Sequence, residues 1–77
     1  MTKADFSLDT LGMFCPIPVI LTSKKMKEMV SGQIIEVLSD DPGIKKDMPV
    51  WCKNTGNTLL SLNEADGVIT IYLCKKT

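Results

Sequence analysis

Cys15 is the residue best placed to do chemistry. It opens the run Cys15-Pro16-Ile17-Pro18, a thiol followed by two prolines with one residue between them. Proline is tolerated in the first turn of a helix, because the N–H groups there have no partner within the helix. The spacing therefore predicts a helix with Pro16 at its first position, Pro18 at its third and Cys15 as N-cap. A helix N-terminus carries unpaired N–H groups and partial positive charge, and both favour an anion. A thiolate in that position forms more readily near neutral pH, and a persulfide anion gains in the same way. The prolines remove two of the N–H groups, which trims the effect and stiffens the presentation of the sulfur. The plain reading of a free cysteine is a small buried hydrophobe. The loop-to-helix position and the flanking prolines favour a functional thiol instead.

The rest of the composition narrows the chemistry further. There is no His, which removes the usual general base, the commonest metal ligand and any Cys–His pair. There is no Arg either, so the bidentate fork that reads guanine and phosphate is missing. Nine Lys balance nine Asp and Glu, and aromatics make up only 5%. Direct nucleic-acid binding is therefore not expected. Three cysteines, Cys15, Cys52 and Cys74, do not make a disulfide framework, and without His they make a poor zinc site. No metal and no cofactor are expected. Cys52, beside Trp51 on a short apolar face, reads as core, and Cys74 is given no role. Asp40 and Asp41 read as turn and cap residues supporting the site. A carboxylate close to the thiol would raise its pKa rather than lower it.

The elements that must position Cys15 follow from periodicity. Phe6 and Leu8 alternate with polar residues over 5–9, which suggests a short strand, and residues 10–14 form a loop in which Gly12 supplies a tight turn. The helix runs from Pro16 to Val30. Val19, Thr22, Ser23, Met26, Met29 and Val30 fall on one side, Lys24, Lys27 and Glu28 opposite, and Ser31-Gly32 stops it. Ile17 and Leu21, with Ile20 at the margin, lie off that stripe. They either pack under loops or form an apolar docking patch beside Cys15. Lys24, Lys25 and Lys27 read as a solvated face that could steer an acidic partner. Ile34 to Leu38 is a covered central strand, ended by Asp40-Asp41-Pro42-Gly43. A second helix is expected from about Met48, capped by Asp47, to Asn54, with Gly56 just beyond. Strands at 58–62 and 68–73 are joined through a 63–67 turn containing Asp66-Gly67.

The order is β-α-β-α-β-β. The expected fold is α/β in the sense of an α+β two-layer sandwich: a four-stranded mixed sheet with both helices on one face. Residues 1–77 form one domain. A right-handed crossover makes the first two strands parallel, so the loop holding Cys15 and the loop holding Asp40 and Asp41 meet at one sheet edge, where ligands of open α/β sheets bind. The first residues carry Lys3, Asp5 and Asp9 and lack a signal-peptide core, and no apolar run reaches bilayer length. A reducing, cytoplasmic setting with no membrane attachment is expected.

Leu8-Asp9, Gly12, Cys15-Pro16-Ile17-Pro18, Asp40-Asp41-Pro42, Asp47 and Gly56 together resemble the TusA/SirA/YedF family of small sulfur-transfer proteins, in order and over nearly the whole chain. The resemblance implies the two-layer sandwich of the C-terminal domain of translation initiation factor three, with strand order 1-2-4-3 and strand four antiparallel. It implies that Cys15 accepts sulfur as a persulfide and relays it. The donor would be of cysteine desulfurase or rhodanese type. The acceptor protein would serve tRNA thiolation, molybdenum cofactor assembly, sulfur oxidation or selenium metabolism. Phe14 stands where the tRNA-thiolation members carry Arg, and Ile17 where they carry Glu. The chain is expected to act as a monomer. The competing reading is a non-enzymatic redox or regulatory interaction module in which Cys15 is oxidised or paired with Cys52.

Overall fold

Alternating burial along the strands sets the architecture. In the computed structural model, which describes residues 4–14 and 16–76, the elements are β1 (Phe6–Asp9), α1 (Ile17–Lys27), β2 (Ile34–Ser39), α2 (Ile44–Thr55), β3 (Thr58–Ala65) and β4 (Val68–Cys74). The sheet order is β1-β2-β4-β3. β1 and β2 are parallel, with Phe6 opposite Ile35 and Leu8 opposite Val37. β4 is antiparallel to both of its neighbours.

Successive strand residues point to opposite faces. Ile35 and Val37 therefore share a face with their partners Leu73 and Ile71, and all four are fully buried. Met26 from α1, Met29 just beyond it, and Ile44, Met48 and Cys52 from α2 join the same cluster. Both helices thus cover one face of the sheet, as the sequence predicts. Each fully buried aliphatic side chain contributes roughly 1.5–3 kcal/mol, so this layer holds the two helices in place.

Four boundaries differ from expectation. The first concerns the start of α1. Ile20 N–H donates to the Pro16 carbonyl at 3.0 Å, which makes Pro16, not Cys15, the capping position. Pro18 then lies in the first turn. The second is the early end of α1 at Lys27. Glu28 and Met29 donate to carbonyls three residues back, and Val30 N–H is taken by Gln33 Oε1 at 2.9 Å. Val30 consequently points to solvent instead of joining the buried stripe.

The third difference is the start of α2 at Ile44, with Gly43 as N-cap and Pro49 inside the helix. Starting there buries Ile44 and Met48 together, one turn apart. Their burial, at about 1.5–3 kcal/mol each, offsets the roughly 3 kcal/mol that an interior proline costs. The fourth is the hairpin. β3 extends to Ala65, and the turn narrows to Asp66 and Gly67, with φ of 53° and 79°. Two left-handed residues form a type I′ turn, whose twist matches the strands and lets pairing continue to Ala65 opposite Val68. A register shift between Leu59 and Ser61 leaves Leu60 exposed.

The open end of α1 is closed from the far end of the chain. Lys75 Nζ donates to the Met26 carbonyl at 2.6 Å and to the Met29 carbonyl at 2.7 Å. A cation there also meets the negative end of the helix dipole. Lys75→Met keeps the aliphatic stem and deletes the ammonium. Urea unfolding should show a loss of about 1.5–3 kcal/mol; an unchanged midpoint would contradict this account of the α1 terminus.

Candidate functional site

The parallel pairing of β1 and β2 brings their carboxyl ends to one edge. Just past β1, Thr10 is fully buried. Its N–H donates to the Leu38 carbonyl at 2.9 Å, and its hydroxyl donates to that same carbonyl. The chain then turns: Met13 N–H donates back to the Thr10 carbonyl at 3.2 Å, with Gly12 at φ +80°. A side chain at Gly12 would meet nothing within 4 Å. The demand for glycine is therefore conformational, as in a type II turn.

Two carboxylates hold this turn. Asp9 Oδ1 accepts from Leu11 N–H at 2.9 Å. Asp40, just past β2, accepts from Gly12 N–H on both oxygens, each at 3.1 Å. The second loop is organised in a similar way. Asp41 N–H donates to the buried Ser39 Oγ at 3.2 Å, and Asp41 Oδ1 accepts from Gly43 N–H at 3.1 Å where α2 begins. Asp41 holds the turn that leads into α2, while the capping position itself is Gly43. Asp40 does more than end a strand, because it reaches across to the turn beside β1.

Cys15 lies outside the described residues. Its sequence neighbours do not: Phe14 is 77% exposed, Pro16 is exposed and Ile17 is 47% exposed. Ile17 N–H donates to the Phe14 carbonyl at 2.9 Å. Ile20 is 48% exposed and Leu21 is half-buried. Of the apolar residues off the buried stripe of α1, Ile17 and Ile20 thus stand in solvent near Phe14 in sequence, and Leu21 only partly so. An open groove of about 510 Å³ runs from Pro16 between the helices, lined by Val19, Val50, Trp51, Lys46, Asp47 and Asn54. Lys24 and Lys27 are exposed, but Lys25 lies 4.8 Å from the centre of the Phe6 ring. That cation–π contact takes it out of the solvated face to which the sequence assigns it.

The other two cysteines are buried. Cys52 is 3% exposed, and burial pushes its thiol up to about 11. It is a core residue, as its place beside Trp51 suggests, and at neutral pH it is a protonated thiol. Cys74 is buried at the end of β4. Thr10 does not stand out in the sequence, and Asp9 enters there through the family resemblance and not as a residue that holds the turn. Their signal is an Asp-Thr pair directly after a strand and two residues before a turn glycine. Among the described residues, no helix is long and apolar enough to cross a membrane.

Comparison with known proteins gives a consistent set of relatives. A family model described as Sulfurtransferase TusA matches residues 6–75. The sulfur carrier protein TusA of Allochromatium vinosum is 38% identical over 77 residues, covering all of both chains. The sulfur carrier protein TusA of Pseudomonas syringae is 30% identical over 73 residues, 95% of this chain and 87% of that one. An Aquifex aeolicus relative is 42% identical over 73 residues, but the chain spans only 37% of its length. The crystal structure of a SirA-like protein from Desulfitobacterium hafniense superposes with a TM-score of 0.82 at 28% identity, covering 94% of this chain and 99% of that one.

The burial of Cys52 has a measurable consequence. As pH rises past about 9, the unfolded chain gives up its Cys52 proton while the folded chain keeps it until about 11. The unfolded state then gains relative to the folded one, and stability falls across that window. The stability difference between the native chain and Cys52→Ala should shrink by about 2 kcal/mol between about pH 8 and pH 11. Other titrating groups cancel in that difference. A gap that stays constant with pH would show the thiol to be less buried than described.

Proposed function

The chain belongs to the sulfurtransferase TusA family, and from that membership we propose that it is a single-domain sulfur carrier, taking one sulfur atom onto Cys15 as a persulfide and handing it to an acceptor protein. The observation that carries this reading is the setting of Cys15 in the sequence. It falls between two exposed residues, Phe14 and Pro16, and one residue before the capping position of α1, at the edge where the parallel strands end. A helix N-terminus favours the anion of a thiol beside it, and the anion is the form that attacks a second protein's persulfide.

The transfer is an exchange between sulfurs. The Cys15 thiolate attacks the terminal sulfur of a donor persulfide. A new S–S bond forms to Cys15, the donor's S–S bond breaks, and the donor cysteine leaves as a thiolate. The proton on the terminal sulfur travels with it or is released to water, and no net oxidation or reduction occurs. Handing on repeats the step with an acceptor thiolate attacking the terminal sulfur held on Cys15. The donor is of cysteine desulfurase or rhodanese type, and the setting is a reducing cytoplasm, where the carrier works as a monomer. Neither metal nor cofactor takes part.

The redox alternative is less well supported. Its paired form needs a second thiol to join Cys15. Cys52 is buried in the core with its ionisation pushed up to about 11, and Cys74 is buried as well. Nucleic-acid binding has no support in a chain without Arg and with balanced charge.

Purified cysteine desulfurase with L-cysteine should add one sulfur atom to the intact chain, read by mass spectrometry. Cys15→Ser should abolish the gain, whereas Cys52→Ser and Cys74→Ser should keep it. Loading that persists in Cys15→Ser would reject the site. A Cys15–Cys52 disulfide without sulfur uptake would favour the redox module.

A further inference from the structure

We infer that Asp40 is a positioning residue for sulfur transfer: it holds the Gly12 amide from the end of β2 and so fixes the loop that leads into Cys15. The inference rests on the sulfur-carrier reading above, because it assigns a role within that reaction.

The other contacts of the loop are local. Leu11 and Phe14 are exposed, Met13 is half-buried, and the Met13 N–H bond to the Thr10 carbonyl closes the turn on itself without reaching the neighbouring strand. Gly12 sits at φ +80°, a conformation the residue adopts freely and leaves freely. Thr10 anchors the start of the loop to Leu38, but it lies two residues before Gly12. Asp9 accepts from Leu11 N–H, yet both residues belong to the same stretch of chain. Asp40 differs in belonging to the neighbouring strand's end. Its two oxygens each lie 3.1 Å from one N–H, and the acceptor is a carboxylate. The ionised acceptor strengthens the bond relative to one between neutral groups. It ties the turn before Cys15 to the loop that begins α2, and thereby fixes one side of the site relative to the other.

Position matters more for some sulfur donors than for others. Transfer from a protein requires two cysteines to meet while both surfaces are docked, so a displacement of about 1 Å can cost up to about a hundredfold in rate. A small polysulfide follows the thiol wherever the loop carries it. Asp40 therefore acts on the protein-to-protein step and leaves the intrinsic reactivity of the thiol nearly unchanged.

The experiment compares Asp40→Ala with Asp40→Asn, which keeps a carbonyl oxygen for the Gly12 N–H and loses the charge. Three readouts are taken on each full chain: loading of Cys15 by purified cysteine desulfurase with L-cysteine, loading by inorganic polysulfide, and hydrogen exchange of the Gly12 amide by NMR. Asp40→Ala should slow desulfurase loading by about tenfold or more, change polysulfide loading by less than about twofold, and accelerate Gly12 exchange. Asp40→Asn should recover most of the desulfurase rate. Three results overturn the assignment: Asp40→Ala loading from desulfurase at the native rate, Gly12 exchange unchanged in Asp40→Ala, or both variants failing equally, which would point to charge instead of position. If the native chain takes sulfur from neither donor, the carrier reading itself fails, and Gly12 exchange still decides whether Asp40 holds the turn.

Discussion

The parallel pairing of β1 with β2 is the constraint on which everything else depends. Antiparallel neighbours could be joined by a tight turn, but parallel ones need a crossover, and α1 supplies it. Once Phe6 faces Ile35 and Asp9 faces Leu38, both strands end on the same edge. The two following loops then meet, and hydrogen bonds between them become possible. Thr10 takes the Leu38 carbonyl, and Asp40 takes the Gly12 amide. Without the pairing these residues would be distant, and no local sequence preference could bring them together.

The pairing is itself held by the layer beneath. Ile35 and Val37 point into the helices, against Met26, Ile44, Met48 and Cys52, with Ile71 and Leu73 of β4 alongside. Burial of this kind costs the chain its freedom at the core and leaves it at the rim. The rim is where the exposed apolar residues gather in sequence, at Phe14, Ile17 and Ile20. The groove from Pro16 past Val50 and Trp51 opens at the same end. A sulfur carrier of this size has little use for a deep pocket, and its open groove lies on such an edge.

Much of this was legible in the residues. The two periodicities located all six elements, and the Cys15-Pro16-Ile17-Pro18 run marked the loop-to-helix junction to within one residue. The misses share a cause. Pro49 looks like a helix start because local propensity disfavours it inside, yet the joint burial of Ile44 and Met48 carried the helix past it. Val30 fits the helical stripe, but Lys75, more than half the chain away, closes the end of α1 before the helix reaches it. Asp40 reads as a turn residue until the neighbouring strand supplies Gly12 as its partner. Each is a contact between residues far apart in sequence, which spacing alone does not encode. The Asp66-Gly67 pair shows the converse: the turn was identified from two residues, and only its width was misjudged.

The proposed carrier role requires Cys15 to be reactive in a chain whose Cys52 and Cys74 are buried. Site-resolved alkylation of the native protein with iodoacetamide across pH tests it most directly. The account predicts fast modification at Cys15 with a midpoint below the ordinary thiol value of about 8.5, while Cys52 and Cys74 stay unmodified until the chain unfolds. Protection of Cys15 to the same degree as Cys52, or a midpoint well above that value, would contradict it.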